Sequence, residues 1–311
     1  MAITAATTTG ELAGFLTREQ AQPIFERAAR MSVAQRLARE VPLGGNGVSI
    51  PVVTGRMEAG WVAEAGQKPA SSGALALKNM DPQKIATIAV VSAEVVRANP
   101  GNYMNLIREQ VAEAFAVAFD AAALRGQSTP FGPGNNLEAT AKAVELGSTT
   151  QADGGIHGDF VAGLSLLVND GKRLTGFALD DRVEPLVLGA VDTTGRPLYV
   201  DLPTEDTSPA VARPGRLLGR TSYMGEGVGA AAPPSPDTAY TLAYGGDWTQ
   251  AAWGVVGGIS YDVSTEATVT INGQLVSLFE HNLVAVRAEA EYGWLVNDIE
   301  AFVKYTETTS A

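Results

Sequence analysis

Cysteine is absent from all 311 residues, which excludes disulfides, thiolate nucleophiles and thiolate metal ligands. Histidine is nearly absent: His157 in "GGIHGD" and His281 in "LFEHNL" are the two. A zinc site would need carboxylates around them at spacings that neither stretch offers, so each is read as a surface or hydrogen-bonded histidine. Positive charge is also short, 22 Lys and Arg against 34 Asp and Glu, for a net charge of −12. That argues against gripping nucleic acid through its phosphates, which needs clustered Lys and Arg. It leaves open a protein that surrounds nucleic acid and must not stick to it. No apolar run approaches the roughly 18 residues of a membrane span. The opening "MAITAATTTGELAGFLTREQ" lacks a basic region followed by an apolar one, so no signal peptide is expected. Together these absences point to a reducing cytoplasm, or to something assembled there.

What is present suffices for a core. Hydrophobic residues make up 45% and charged residues 18%, a globular balance, and the length suggests about two domains or one elaborate one. Motifs for chemistry are missing. Gly171–Lys172 lacks the upstream glycine and the hydroxyl residue of a phosphate-binding loop. Gly225-Glu226-Gly227-Val228-Gly229 is glycine-rich, but "AAAPPSP" comes next and cannot open the helix whose N-terminus would bind an anion; a flexible loop is expected. No G-x-S-x-G elbow or EF-hand loop is present. Asp180–Asp181 and Glu205–Asp206 read as adjacent acids on solvated turns. No catalytic residue, cofactor or metal site is assigned, which favours a structural or binding role over catalysis.

Hydrophobic periodicity gives the elements. Thr17–Glu40 has helical spacing, with Ile24, Ala28, Met31, Ala34, Leu37 and Ala38 on one face and Arg27, Arg30 and Arg36 outside it. It reads equally as a helix packed on its own domain or as an arm reaching a neighbour. Val48–Thr54 and Ile85–Val91 are expected strands, and Ser92 can cap the helical turn after it. The longest helix is expected over Tyr103–Leu124, capped by Asn102. Ile107, Val111, Phe115 and Phe119 form its core-facing side, and its Ala-rich second half reads as covered on most sides. Beyond it, short helices are expected around Glu138–Glu145, over Phe160–Asn169 with Asp159 as cap, and over Arg182–Leu188. Leu217–Met224 reads as one strand. Near the end, Val284, Val286, Ala288, Ala290 and Tyr292 alternate with Arg287, Glu289 and Glu291.

Between the first two strands the pattern is unusual. Met57, Ala59, Trp61 and Ala63 alternate with Arg56, Glu58 and Glu64. The stretch "AGQKPASSG" then turns, and Leu75 and Leu77 alternate with Ala76 and Lys78. This reads as a long hairpin with one thin apolar face. A lone two-stranded hairpin is marginal in water, so its strip must lie on another surface.

The succession "IPVVTG", "GWVAEAGQKPASSG", "MDPQKIATIAVVSAEVVRANPGN", a long helix ending "DAAALRG", then "GRLLGRTSYM", "AYGGDWTQAAWGVVGGISYDVS" and "LFEHNLVAVRAEAEYGWLVNDIEAFV" resembles the major capsid proteins of tailed double-stranded DNA phages. These share the α+β fold named for phage Hong Kong 97. The resemblance covers most of the chain and rests on the order of segments rather than on one diagnostic motif. It implies an N-terminal arm over 1–47 and a strand with an extended loop over 48–92. A peripheral domain with the spine helix would span 93–126, an axial domain 127–272, and a return to the peripheral sheet 273–311. Met57, Trp61, Glu64, Lys68, Leu75, Leu77 and Lys78 would then touch an adjacent subunit. The type member cross-links its shell through lysine and asparagine. Lys68, Lys78 and Asn297 sit on suitable segments, but no acid aligns with them, and the lysines are read as ordinary surface residues. The implied partners are further copies in pentamers and hexamers of an icosahedral shell, a portal, and a scaffolding protein that is separate or absent. The shell would enclose double-stranded DNA without specific binding, touch no membrane, be assembled in the host cytoplasm and end in the virion. The alternatives are an encapsulin-type compartment enclosing a cargo enzyme, and an enzyme whose site escapes recognition.

Overall fold

A computed structural model of the chain describes residues 32–55, 60–62, 74–98, 103–150, 153–190, 200–201, 212–233 and 238–308. Element order is mixed α+β. First come α1 (Val33–Leu37), β1 (Arg39–Glu40), β2 (Val48–Gly55), β3 (Ala74–Met80), β4 (Gln83–Ser92), α2 (Ala93–Ala98) and the long α3 (Tyr103–Ala123). Next are β5 (Ala143–Glu145), α4 (Gly155–Asn169), β6 (Gly176–Leu179), α5 (Glu184–Leu188), β7 (Val200–Asp201), β8 (Arg213–Leu217) and β9 (Arg220–Met224). The last are β10 (Ala239–Gly246), β11 (Ala251–Ser264), β12 (Thr268–Ile271), β13 (Gln274–Ser277), β14 (Leu283–Val296) and β15 (Phe302–Thr308).

Two sheets organise these elements. A four-stranded sheet runs β1-β11-β14-β4, and a seven-stranded sheet runs β5-β15-β10-β6-β9-β8-β7. The alternation in β14 gives the smaller sheet its two faces. Ala288 and Ala290, with Val91 of β4, pack under Val111 and Phe115 of α3, while Arg287 stands outward and pairs with Asp262 at 2.8 Å. The larger sheet is covered by α4, whose Phe160 and Leu167 meet Phe177, Leu179, Val303 and Tyr305. A third cluster joins the two sheets: Trp294 and Val296 of β14 pack with Tyr244 of β10 and Phe302 of β15, and α3 adds Phe119. The segment 273–311, read as returning to the peripheral sheet, therefore divides, since β14 pairs with β4 whereas β15 pairs with β10 and β5.

Several expectations change for local reasons. The N-terminal helix does not run through to Glu40. Ser32 is extended (φ −55°, ψ 131°) and caps α1, accepting from the Gln35 amide, and Ala38 is extended again so that β1 can pair with β11. Residues 1–31 and Asn102 lie outside the described residues. Ser92 does cap α2, its hydroxyl accepting from the Val95 amide at 3.4 Å. The helix expected around Glu138–Glu145 is a single 3₁₀ turn, Leu137–Ala139, capped by Asn136. Its expected second half is instead the strand β5, parallel to β15. Asp159 lies inside α4 and does not cap it. Its buried carboxylate accepts from the Gly147 and Thr149 amides at 2.7 and 3.0 Å, pinning the preceding loop. Leu217–Met224 is not one strand, because Leu218 and Gly219 both take positive φ and close a tight turn between β8 and β9.

Candidate assembly surface

The hairpin β2–β3 has two unlike faces. Its register sets Val48 opposite Met80, Ile50 opposite Lys78, and Pro51 opposite Leu77. Val48, Ile50 and Met80 turn inward onto Leu43 and Leu295, so the base of the hairpin is seated on its own chain. Successive strand side chains point to opposite faces. Pro51, Leu75 and Leu77 therefore point away, and the two leucines are 73% and 72% exposed. Trp61 is fully exposed. Lys78, grouped in the sequence with residues meeting a neighbour, turns the other way. Its ammonium donates to the main-chain oxygens of Asn297 at 2.6 Å and Val296 at 3.2 Å, tying the hairpin to the end of β14. It is not an ordinary surface lysine. Met57, Glu64 and Lys68 lie outside the described residues.

A second apolar patch escaped the sequence reading. Leu275 and Phe279 are each 78% exposed, with Val263 exposed as well, on and beside the β12–β13 hairpin. The available signal was Asn272-Gly273, both at positive φ, the turn pair that marks a tight hairpin between short strands.

On α3, Val111, Phe115 and Phe119 are buried as expected, and the side chain of Ile107 lies outside the described residues. Phe119 meets Phe131, Tyr292 and Trp294 with ring centroids 5.9, 5.3 and 5.9 Å apart. The helix is not covered on most sides, however. Ala114 and Ala118 line a groove of about 790 Å³ between α3, the start of β4 and the loop carrying Phe131, and both are exposed. Asp120, on the neighbouring face, is buried and holds the N-terminus of α1. It accepts from the Ser32 hydroxyl, from the Val33 amide at 2.8 Å and from the Ala34 amide at 3.1 Å. Burial pushes its carboxyl up to about 6, against the lowering effect of those donors and of the Arg125 guanidinium.

Among the described residues no group of three or more His, Asp or Glu could hold a metal ion, and no helix is long and apolar enough to cross a membrane. His157 is half-buried on α4 and His281 is exposed. The Gly225–Gly229 loop is packed rather than loose. Val228 is fully buried, and at Gly227 a Cβ would come within 2.8 Å of Asp120 Cβ, so glycine lets the loop lie against α3. Asp180 is buried too and accepts from the Arg182 Nε at 2.7 Å and the Gly229 amide at 2.9 Å, whereas Asp181 pairs with Arg213 at the surface. Glu205 and Asp206 lie outside the described residues.

Comparison with known proteins shows the family. Residues 13–306 match the model of the phage capsid family. The chain is 42% identical over 301 residues to "Probable major capsid protein gp17" of Mycobacterium phage D29, covering 96% of this chain and 91% of that one. It is 43% identical over 304 residues to the protein of the same name from Mycobacterium phage L5, covering 94% and 89%. Among solved structures, one from Gordonia phage Cozz superposes with a TM-score of 0.71 at 25% identity, covering 98% of this chain and 96% of that chain.

Proposed function

We propose how this chain, which belongs to the phage capsid family and is a major capsid protein of a tailed phage, builds its shell. The outer face of the β2–β3 hairpin, with Trp61 beyond it, lies across an adjacent copy, while Lys78 and the inner face hold its root in place. The single observation that carries this is the split between those faces: one is packed on Leu43 and Leu295, the other leaves Leu75 and Leu77 open. Fully burying a leucine is worth about 1.5–3 kcal/mol, and an aromatic anchor adds a few kcal/mol. One such contact barely offsets the cost of association. A closed symmetric shell repeats it in every copy, so no single interface need be strong.

In this reading α3 is the spine of a peripheral region formed with the four-stranded sheet, and the seven-stranded sheet with α4 is the axial region. Residues 1–47 are the arm and 48–92 include the extended loop. Segments 93–126, 127–272 and 273–311 follow, with β11 of the second lying in the four-stranded sheet and β15 of the third in the seven-stranded one. Pentamers and hexamers of the chain close an icosahedral head in the host cytoplasm, beside a portal and a separate scaffold if one is used. The net charge of −12 suits an inner wall along which packaged double-stranded DNA slides rather than binds.

The test is Trp61→Ala. Because the side chain is fully exposed on its own subunit, unfolding should shift by less than about 0.5 kcal/mol. Particle yield, read by sedimentation and negative-stain microscopy, should fall sharply. Full particle yield from this variant would remove the hairpin from the assembly contact.

A further inference from the structure

One face of α3 walls the groove, through Ala114, Val117, Ala118 and Ala121, and Ile85, Phe131 and Tyr292 line the other sides. Of these, Ala114 and Ala118 are exposed and Val117 and Ala121 half-buried, whereas Val111 and Phe115 on the core side, and Phe119 and Ala122 at the groove's edge, are buried. Arg125 lines the groove too, and its buried Nε has no hydrogen-bond partner among the described residues. Buried polar groups are normally paired, so an acceptor belongs at that point.

We propose that this groove seats the chain's own residues 17–31, with Ile24, Ala28 and Met31 against the alanines of α3 and an acceptor of the segment at Arg125. Three observations converge on this occupant. The segment is rooted one loop away from the groove: Asp120 holds Ser32, Val33 and Ala34, and Gly227, which lies against both Asp120 and Val117, follows the groove-lining Glu226. The apolar stripe also continues an existing contact. Ala34 and Ala38, on the same predicted face as Ile24, Ala28 and Met31, are already buried in the cluster that contains Phe119. Lastly, the extended Ser32 breaks the direction of α1, so the preceding residues need not run collinearly away from the body.

Since the chain has no cysteine, a pair of introduced cysteines reports on this placement directly. Ala28→Cys is combined in the full-length protein with Ala114→Cys, Val117→Cys or Ala118→Cys, so that an offset of one residue is not missed. A disulfide needs Cβ atoms roughly 3.5–4.5 Å apart. Mild oxidation should give a single-chain cross-link in at least one pair, seen as a reducible mobility shift on a denaturing gel and located by peptide mass spectrometry. Its yield should exceed that of the control pair Ala28→Cys with Leu166→Cys, on the exposed side of α4, by at least tenfold. Adding Ile24→Asp to the reactive pair should lower the yield tenfold. Three results would each overturn the proposal: no single-chain cross-link from any pair, two-chain products only (the segment then sits on a neighbour), or a yield indifferent to Ile24→Asp.

Discussion

Replacing Asp120 by asparagine tests the electrostatics of the joint between α1 and α3. The carboxyl is buried, and its ordinary value of 3.8 rises to about 6 in the fold. Between those values the folded chain keeps a proton that the unfolded chain releases. The stabilisation from holding it is fully present below about pH 4 and is lost as pH climbs through about 6. A rise of about two units corresponds to roughly 3 kcal/mol. Asparagine is nearly isosteric and does not titrate, but it offers one acceptor oxygen to three donors, a fixed cost of about 1–3 kcal/mol. Urea unfolding of the dilute, unassembled subunit at pH 4, 5, 6 and 7 should therefore show the variant weaker than the parent at pH 4, with the gap closing by about 3 kcal/mol by pH 7. If the gap stays constant, or widens as pH rises, then Ser32, the two amides and Arg125 outweigh burial. The carboxylate is then ionised throughout, and the reasoning fails.

Phe115→Ala, which removes a side chain buried between α3 and β4, should destabilise the subunit by about 3–5 kcal/mol in urea or thermal unfolding. Gly227→Ala drives a methyl group to within 2.8 Å of Asp120 Cβ and should cost about 1–3 kcal/mol by the same assay, despite lying in a loop. Lys78→Met keeps the aliphatic stem but releases the carbonyls of Val296 and Asn297. A loss of about 1–2 kcal/mol is expected, with amide hydrogen exchange accelerated in β2 and β3 and unchanged in α4.

Legibility in the sequence tracked the number of consecutive residues that share one period. α3, β4 and β14 each keep a helical or strand period long enough to read, and the structure sets them within a few residues of their expected ends. The exposed Leu75 and Leu77 were legible for the same reason. Where one residue decides, periodicity is silent. Ser32 ends a helical pattern that continues on either side of it, and Leu218 takes a positive φ that its side chain does not advertise. Asp159 stands where a cap would be expected yet bonds backward to a loop, and Lys78 looks like a surface lysine until the end of β14 arrives, distant in sequence, to accept from it. The groove along α3 was hidden by composition. Alanine reads as covered when small, but smallness also leaves room.

Besides the long connection from β4 to β5, the chain passes between its two sheets twice more, side by side, through 247–250 and 297–301. The last rung of one sheet, Ala251 with Val296, and the first of the other, Gly246 with Phe302, flank both crossings. Each crossing is a 3₁₀ turn capped by an aspartate, and they are stitched together: the Asn297 amide donates to the Gln250 oxygen at 2.7 Å and the Asp247 amide to the Ala301 oxygen at 3.0 Å. A door on two adjacent pins swings about one axis and resists twisting about any other. The two halves of the subunit should therefore resist twisting against each other, with rotation about the line of the two crossings left as the softest motion.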